Sequence, residues 1–279
     1  MAAQSQAQAQ AIPNEPPHPR VYKHTGFKSR FLQGERDISV YVPPGYEEQT
    51  ERQYPLLILQ DGQNLFDPAT SFIRGKTWRM AETADDAIDA GEVEPLIIAG
   101  VANAGERRLA EYTPSRDMKL GGGNAGQYAL MVTRELLPFL RANYRLRSGA
   151  ADTGIGGSSL GGLVSLWIGL RHAEIFGKLA VLSPSVWWNH RYILAYLNDV
   201  APELARRPRI WLDAGDQEGR RTLADTRALD GRMLALGWRE DVDLHFEEVA
   251  GGAHDEASWA ERVRPMLRFL FPAERRDLR

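Results

Sequence analysis

One serine in this chain has a setting that suits a nucleophile. Gly157-Ser158-Ser159-Leu160-Gly161 spells G-x-S-x-G with Ser159 at its centre. A serine raised on a sharp strand-to-helix turn has strained backbone angles, and side chains at the flanking positions would collide with it, so glycines stand there. Such a turn also sets the hydroxyl at a helix N-terminus, whose positive end favours developing negative charge. The chain's own Gly and Ser content would produce this string by chance in roughly one such sequence in ten. The setting carries more weight. A short run, Thr153–Gly157, precedes the motif and an apolar helical stretch, Leu163–Leu170, follows it. The plain alternative is a Gly-rich turn that packs a helix on a strand. Ser158 is the neighbouring candidate, but it lacks glycines at both flanking positions.

A serine needs a base to take its proton. Six histidines are present, and most lone histidines are structural or surface residues. His18 and His24 precede the main pattern, His172 ends the helix after Ser159, and His245 lies within a strand. His190 follows a Trp pair and has a position facing the site. His254, in Ala250-Gly-Gly-Ala-His254-Asp255, comes just past the run Leu244–Val249, where a strand would deliver it to the edge that holds Ser159. The third member should be a carboxylate after the preceding strand, to hold the imidazole tautomer and stabilise the imidazolium. The segment Ile210-Trp-Leu-Asp-Ala-Gly215 and its following loop offer Asp213, Asp216 and Glu218. The order serine, acid, histidine is the one expected on an α/β sheet of the hydrolase type. Acyl transfer also needs N–H groups aimed at the oxyanion. Leu160, directly after the serine, supplies one. The turn Gln60-Asp61-Gly62-Gln63-Asn64 supplies the other through Gln63. Read alone, that turn is an ordinary Asp-Gly bend.

The elements that must position these groups are legible as a rhythm. Short apolar runs occur at Leu56–Gln60, Leu96–Val101, Thr153–Gly157, Leu179–Ser183, Ile210–Ala214 and Leu244–Val249. Helical stretches fall at about Trp78–Ala90, Gly126–Asn143, Leu160–His172, His190–Asp199, Leu223–Leu236 and Ser258–Phe271. Alternation of this kind predicts a mostly parallel sheet with helices on both faces and reactive groups at the carboxyl edge. Before it, Lys28–Leu32 and Asp37–Val42, joined by a turn at Gln33–Arg36, predict an antiparallel hairpin at one edge. Residues 1–19 are Ala/Gln-rich, then Pro-rich, and are expected to form a disordered tail. Residues 20–279 are expected to form a single catalytic domain. The tail has no basic region followed by an apolar one, so no intact signal peptide is expected, and the compartment stays open between the cytoplasm and export after signal removal.

Other chemistries are excluded by composition. The 279 residues contain no cysteine, which removes disulfides, thiolate metal sites and Cys nucleophiles. The net charge of −3 gives no basic excess for nucleic acid or an anionic membrane. No apolar run approaches the ~20 residues of a membrane span. Gly154-Ile-Gly156 does not continue into a dinucleotide fingerprint, and Gly75-Lys76-Thr77 lacks the rest of a phosphate loop. No metal or organic cofactor is expected. The oligomeric state is not readable.

These segments resemble the putative-esterase branch of the α/β-hydrolases, which includes enterochelin esterase-like, esterase D and feruloyl or acetyl-xylan esterase-like proteins. The similarity rests on Tyr41-Val-Pro-Pro-Gly-Tyr46, Asp61-Gly-Gln-Asn-Leu-Phe-Asp67, Glu111-Tyr-Thr-Pro114, Gly154–Gly162, Leu182-Ser-Pro-Ser185 with Trp187-Trp188, and Gly251-Gly-Ala-His254. The resemblance implies Ser159 as nucleophile, His254 as base, and Gln63 and Leu160 as oxyanion donors. It places the acid three residues after Gly215, at Glu218, with Asp216 as the alternative. It implies a substrate pocket shaped by Trp187, Trp188, Arg107 and Tyr112, with Arg108 and Glu111 beside them. An Arg there would grip an anionic substrate group or pair with Glu111. The implied activity is hydrolysis of carboxylic esters through an acyl-enzyme, on aromatic, siderophore or sugar esters. The alternatives are an acyltransferase and a non-catalytic binding module on the same fold.

Overall fold

The computed structural model describes residues 18–273. The expected tail lies outside the described residues up to position 17. At position 18 the chain is already anchored, with His18 Nε2 3.0 Å from Asp85.

Eight strands form one sheet: β1 (Val21–Lys28), β2 (Glu35–Tyr41), β3 (Leu56–Gln60), β4 (Ile97–Val101), β5 (Thr153–Ser158), β6 (Lys178–Leu182), β7 (Arg209–Gly215) and β8 (Leu244–Val249). Their spatial order is β1-β2-β4-β3-β5-β6-β7-β8. The β1–β2 and β2–β4 pairs are antiparallel, and all the others are parallel. This is the expected α/β architecture, an α/β-hydrolase-like sheet with an antiparallel N-terminal edge. The longer helices are α1 (Met80–Asp89), α3 (Ala125–Met131), α4 (Leu137–Asn143), α5 (Leu160–Arg171), α6 (Trp188–Val200), α7 (Arg220–Ala235) and α8 (Glu256–Leu270), with a short α2 at Arg108–Glu111.

The central strands read as unbroken apolar runs because both faces are covered. On β3, Leu56 and Ile58 join the core that contains α5 and α6, while Leu57 and Leu59 join the core that contains α1 and α8. The hairpin departs from expectation. Its first strand is Val21–Lys28, and the expected run Lys28–Leu32 shares only Lys28 with it, the rest lying in the turn. The edge strand is half exposed and its register shifts between His24 and Phe27, around Gly26, so it carries no clean alternation. The expected 126–143 helix is interrupted by a π turn at Val132–Leu136, just before Pro138, which has no N–H to give. α6 opens earlier than expected, and its Asn189, His190 and Arg191 all sit in the left-handed region.

From β3 the chain crosses to β4 on one side, and from its neighbour β5 it crosses to β6 on the other, so connections leave adjacent strands in opposite directions. That is a switch point, and it opens a crevice at the carboxyl ends of β3 and β5. Both the Asp61 turn and Ser159 fall there.

Candidate active site

Ser159 stands between β5 and α5 with φ 58° and ψ −123°, a conformation L-residues rarely adopt. The turn closes tightly: a Cβ on Gly157 would lie 2.9 Å from the Gly161 backbone. The Ser159 N–H donates to Leu182 O at 3.0 Å, and its Oγ lies 3.3 Å from Ser185 Oγ. The hydroxyl is thus presented, not buried, at the start of an apolar twelve-residue helix.

His254 sits in the loop between β8 and α8. Its Nδ1 lies 2.9 Å from Glu218 Oε2, which leaves Nε2 as the outward nitrogen. Of the three carboxylates open in the sequence, only Glu218 has this contact. Asp216 is exposed and accepts from Gln217 Nε2 and Gly251 N–H, both at 2.9 Å. Asp213 is buried inside β7, where it accepts from Arg262 Nη1 at 2.7 Å and Trp211 Nε1 at 2.8 Å. The other Glu218 oxygen accepts from Ser183 Oγ at 2.6 Å, Gly215 N–H at 2.8 Å and Arg262 Nη2 at 3.0 Å. Burial opposes ionisation of Glu218. The bonds from His254, Ser183, Gly215 and Arg262 outweigh it and hold the carboxyl below its usual range. Trp259 packs edge-on against the His254 ring, with centroids 5.0 Å apart.

Opposite, the turn after β3 approaches β4 closely. A Cβ on Gly62 would stand 2.3 Å from the Gly100 carbonyl carbon, so only glycine fits. Asp61 takes a left-handed φ of 55° to start this turn. Its carboxylate is clamped by Arg108 Nε and Nη2 and by Asn103 Nδ2, each at 2.7 Å. Its own N–H donates to Tyr112 Oη at 3.2 Å. Leu160 opens α5 and Gln63 lies in the first turn of a short 3-10 helix, so their N–H groups lie outside the helical ladders.

Ser159, His254 and Gln63 line one cavity of about 210 Å³, together with Arg108, Phe72 and Glu256. The expected pocket residues are distributed differently. Trp188 is fully buried, with its indole N–H donating to Ser115 O at 2.9 Å, so it packs the core. Trp187 packs against that core, and neither ring lines the cavity. Tyr112 is buried beneath the Asp61 turn as its hydrogen-bond partner. Arg107 lies on the exposed side of its turn, against Gly34, while Arg108 faces the cavity. Neither pairs with Glu111, which is buried against Arg36 at 2.9 Å. His190 lies in the left-handed turn of α6 and does not line the cavity.

Sequence reasoning missed Arg262, Ser183, Asn103 and Phe72. Arg262 carried a signal: Asp255, Ser258, Trp259 and Arg262 fall at helical spacing on one face. No group of three or more His, Asp or Glu residues suited to hold a metal occurs among the described residues. No helix there is long and apolar enough to cross a membrane.

A mostly parallel eight-stranded sheet with a strained serine at the head of its central helix is the architecture of an α/β-hydrolase-like esterase. Residues 29–270 match the family described as "Putative esterase", and the chain belongs to that family. It is 25% identical over 266 residues to "Uncharacterized protein YbbA" of Bacillus subtilis, spanning 91% of this chain and 99% of that protein. Iron(III) salmochelin esterase of Escherichia coli O6:H1 is 28% identical over 257 residues, 85% of this chain and 55% of the relative, so the chain spans about half of that protein. Among solved structures, BES protein from Bacillus cereus superposes with a TM-score of 0.73 at 22% identity, covering 96% of this chain and 99% of that one.

Proposed function

We propose that the protein is a serine esterase that hydrolyses carboxylic esters through an acyl-enzyme on Ser159. The observation that carries this reading is the His254–Glu218 bond of 2.9 Å beside a cavity that the strained Ser159 also lines. With Nδ1 tied to Glu218, Nε2 of neutral His254 is free to accept a proton. On substrate binding the Ser159 hydroxyl turns from Ser185 towards Nε2, and its oxygen attacks the ester carbonyl as the proton passes to the ring. The Leu160 and Gln63 N–H groups receive the oxyanion. Glu218 balances the imidazolium, which then protonates the leaving alcohol. Water repeats the sequence on the acyl-enzyme, with His254 as base again. The relative named as a salmochelin esterase supports siderophore-type esters as the first substrates to try.

The test is labelling with a fluorescent fluorophosphonate, followed by turnover on acetyl, butyryl, feruloyl and catecholate esters. Wild type labels and Ser159→Ala does not, while losing about 10³-fold or more in kcat. Absence of labelling in folded wild type refutes the reading and points to a binding module. Acyl transfer to an added alcohol in preference to water makes the enzyme a transferase.

A further inference from the structure

We propose that Asp213, bridged to Glu218 by Arg262, is a positioning residue that sets how readily His254 holds a proton, although it does not touch the imidazole. The inference rests on the Ser159–His254–Glu218 reading, and its geometry is an ion cluster of which the mechanism above uses only Glu218.

Arg262 reaches Asp213 Oδ1 with Nη1 at 2.7 Å and Glu218 Oε1 with Nη2 at 3.0 Å. Ser183 ties the two arms together. Its hydroxyl donates to Glu218 at 2.6 Å and accepts from Arg262 Nη1 at 2.8 Å and Trp259 Nε1 at 3.0 Å. The side chains of Asp213, Glu218 and Arg262 are almost wholly buried, so water screens them little. The charges do not balance at rest. Two carboxylates share one guanidinium, and the cluster carries one surplus negative charge while His254 is neutral. A proton on His254 makes it neutral overall. A partner needed only to pair Arg262 would have been satisfied by Glu218 alone. The second carboxylate supplies the charge that the imidazolium cancels.

The coupling runs both ways. A proton on Asp213 leaves Arg262 entirely to Glu218, so the cluster is neutral before His254 is protonated and positive after it. The imidazolium then loses support. The state of Asp213 matters near neutrality: burial, with Arg262 and Trp211 opposing it and the Glu218 charge adding to it, pushes the carboxyl up to about 6. The charged groups acting on Asp213 are Arg262 from α8 and Glu218 from the loop after β7. Those near His254 besides Glu218 are Asp255, paired with Lys76 at 3.0 Å, and, lining the same cavity, Glu256, Asp61 and Arg108. None of the latter five contacts Asp213 among the described residues.

The measurement is an NMR titration of the His254 ring in the full chain, wild type against Asp213→Asn, which keeps the size of the side chain and one acceptor oxygen, for Arg262 or for Trp211. We expect a wild-type curve shallower than a one-proton curve. In the variant it steepens, and its midpoint falls by about half a pH unit or more. An unchanged midpoint in a variant with a native-like spectrum overturns the proposal. Should Asp213→Asn not fold, the Asp213 carboxyl is titrated by carbon NMR in wild type and His254→Gln. A higher midpoint in His254→Gln supports the coupling, and an unchanged one overturns it. Neither readout needs turnover, so failure here is distinct from a failure of fluorophosphonate labelling.

Discussion

The two flanks of the site are held by different physics. On the base flank a carboxylate meets four donors, and its guanidinium partner Arg262 has a side chain only 2% exposed. On the oxyanion flank a strained backbone turn is clamped through Asp61 by Arg108, whose side chain is 28% exposed. The mouth beyond it carries Phe72, 85% exposed. In the proposed mechanism His254 gains and loses a proton, so the buried groups behind it have to balance charge. The proposed oxyanion donors are backbone N–H groups that never change charge. They need only be aimed, and a tight glycine turn with a clamp at its rim does that.

The largest expected effect tests the base flank. Glu218→Gln keeps the shape but loses the charge and the tautomer preference, and kcat is expected to fall by about 10²- to 10⁴-fold. Asp216→Asn, which alters the exposed neighbour, leaves kcat unchanged. Equal losses in both would return the acid to the loop at large. The same variant has a stability signature. The folded Glu218 carboxyl lies below its usual value, so its ionised form stabilises the fold above about pH 4.5 and that contribution is lost as pH falls through the folded value. Urea unfolding of Glu218→Gln at a series of pH values is expected to show a flatter acid limb than wild type.

The next effect sets the two arginines against each other. Arg262→Gln leaves Asp213 and Glu218 buried side by side without their shared cation, at an expected cost of about 3–5 kcal/mol. Arg108→Gln takes the guanidinium from Asp61, whose side chain is only 7% exposed but keeps its bond from Asn103, at about 1.5–3 kcal/mol. Urea denaturation reads both. If the two losses match, the flanks are not built differently and the comparison fails.

How far the sequence revealed this arrangement follows the same division. The parallel strands were legible as apolar runs, and Ser159, His254 and Gln63 could be placed at the reactive edge because each follows such a run; read alone, the glycine motif and the Asp-Gly bend each had a plain alternative. Leu56–Gln60 and Leu244–Val249 match their strands residue for residue. The choice among Asp213, Asp216 and Glu218 was not settled by the residues themselves. Three carboxylates within six positions differ only in where β7 ends and how its loop folds back. Trp187 and Trp188 looked like pocket walls because they follow a strand at the reactive edge. The left-handed turn at Asn189–Arg191 and the Trp188–Ser115 bond place Trp188 in the core with Trp187 packed against it, and neither is written in local pattern. Phe72 was silent for the opposite reason: an apolar residue in a loop carries no period.

Phe72 provides the smallest and most selective test. Its backbone is fixed, because the N–H donates to Asn64 Oδ1 at 2.9 Å and Asn64 Nδ2 in turn donates to Glu256 at 3.2 Å. Its ring is nonetheless exposed at the cavity that Ser159 lines. A ring held in water by an ordered backbone stabilises little in the free protein, so Phe72→Ala is expected to change unfolding free energy by less than ~0.5 kcal/mol. Covering about 50 Å² of ring with an apolar acyl group is worth about 1.2 kcal/mol, or roughly an eightfold change in KM. Butyryl and longer esters are therefore expected to lose affinity in Phe72→Ala while kcat and acetyl ester hydrolysis hold. A fall in kcat for every ester would mean that the mouth helps to aim the Gln63 turn. The oxyanion flank would then depend on its rim as closely as the base flank depends on Arg262.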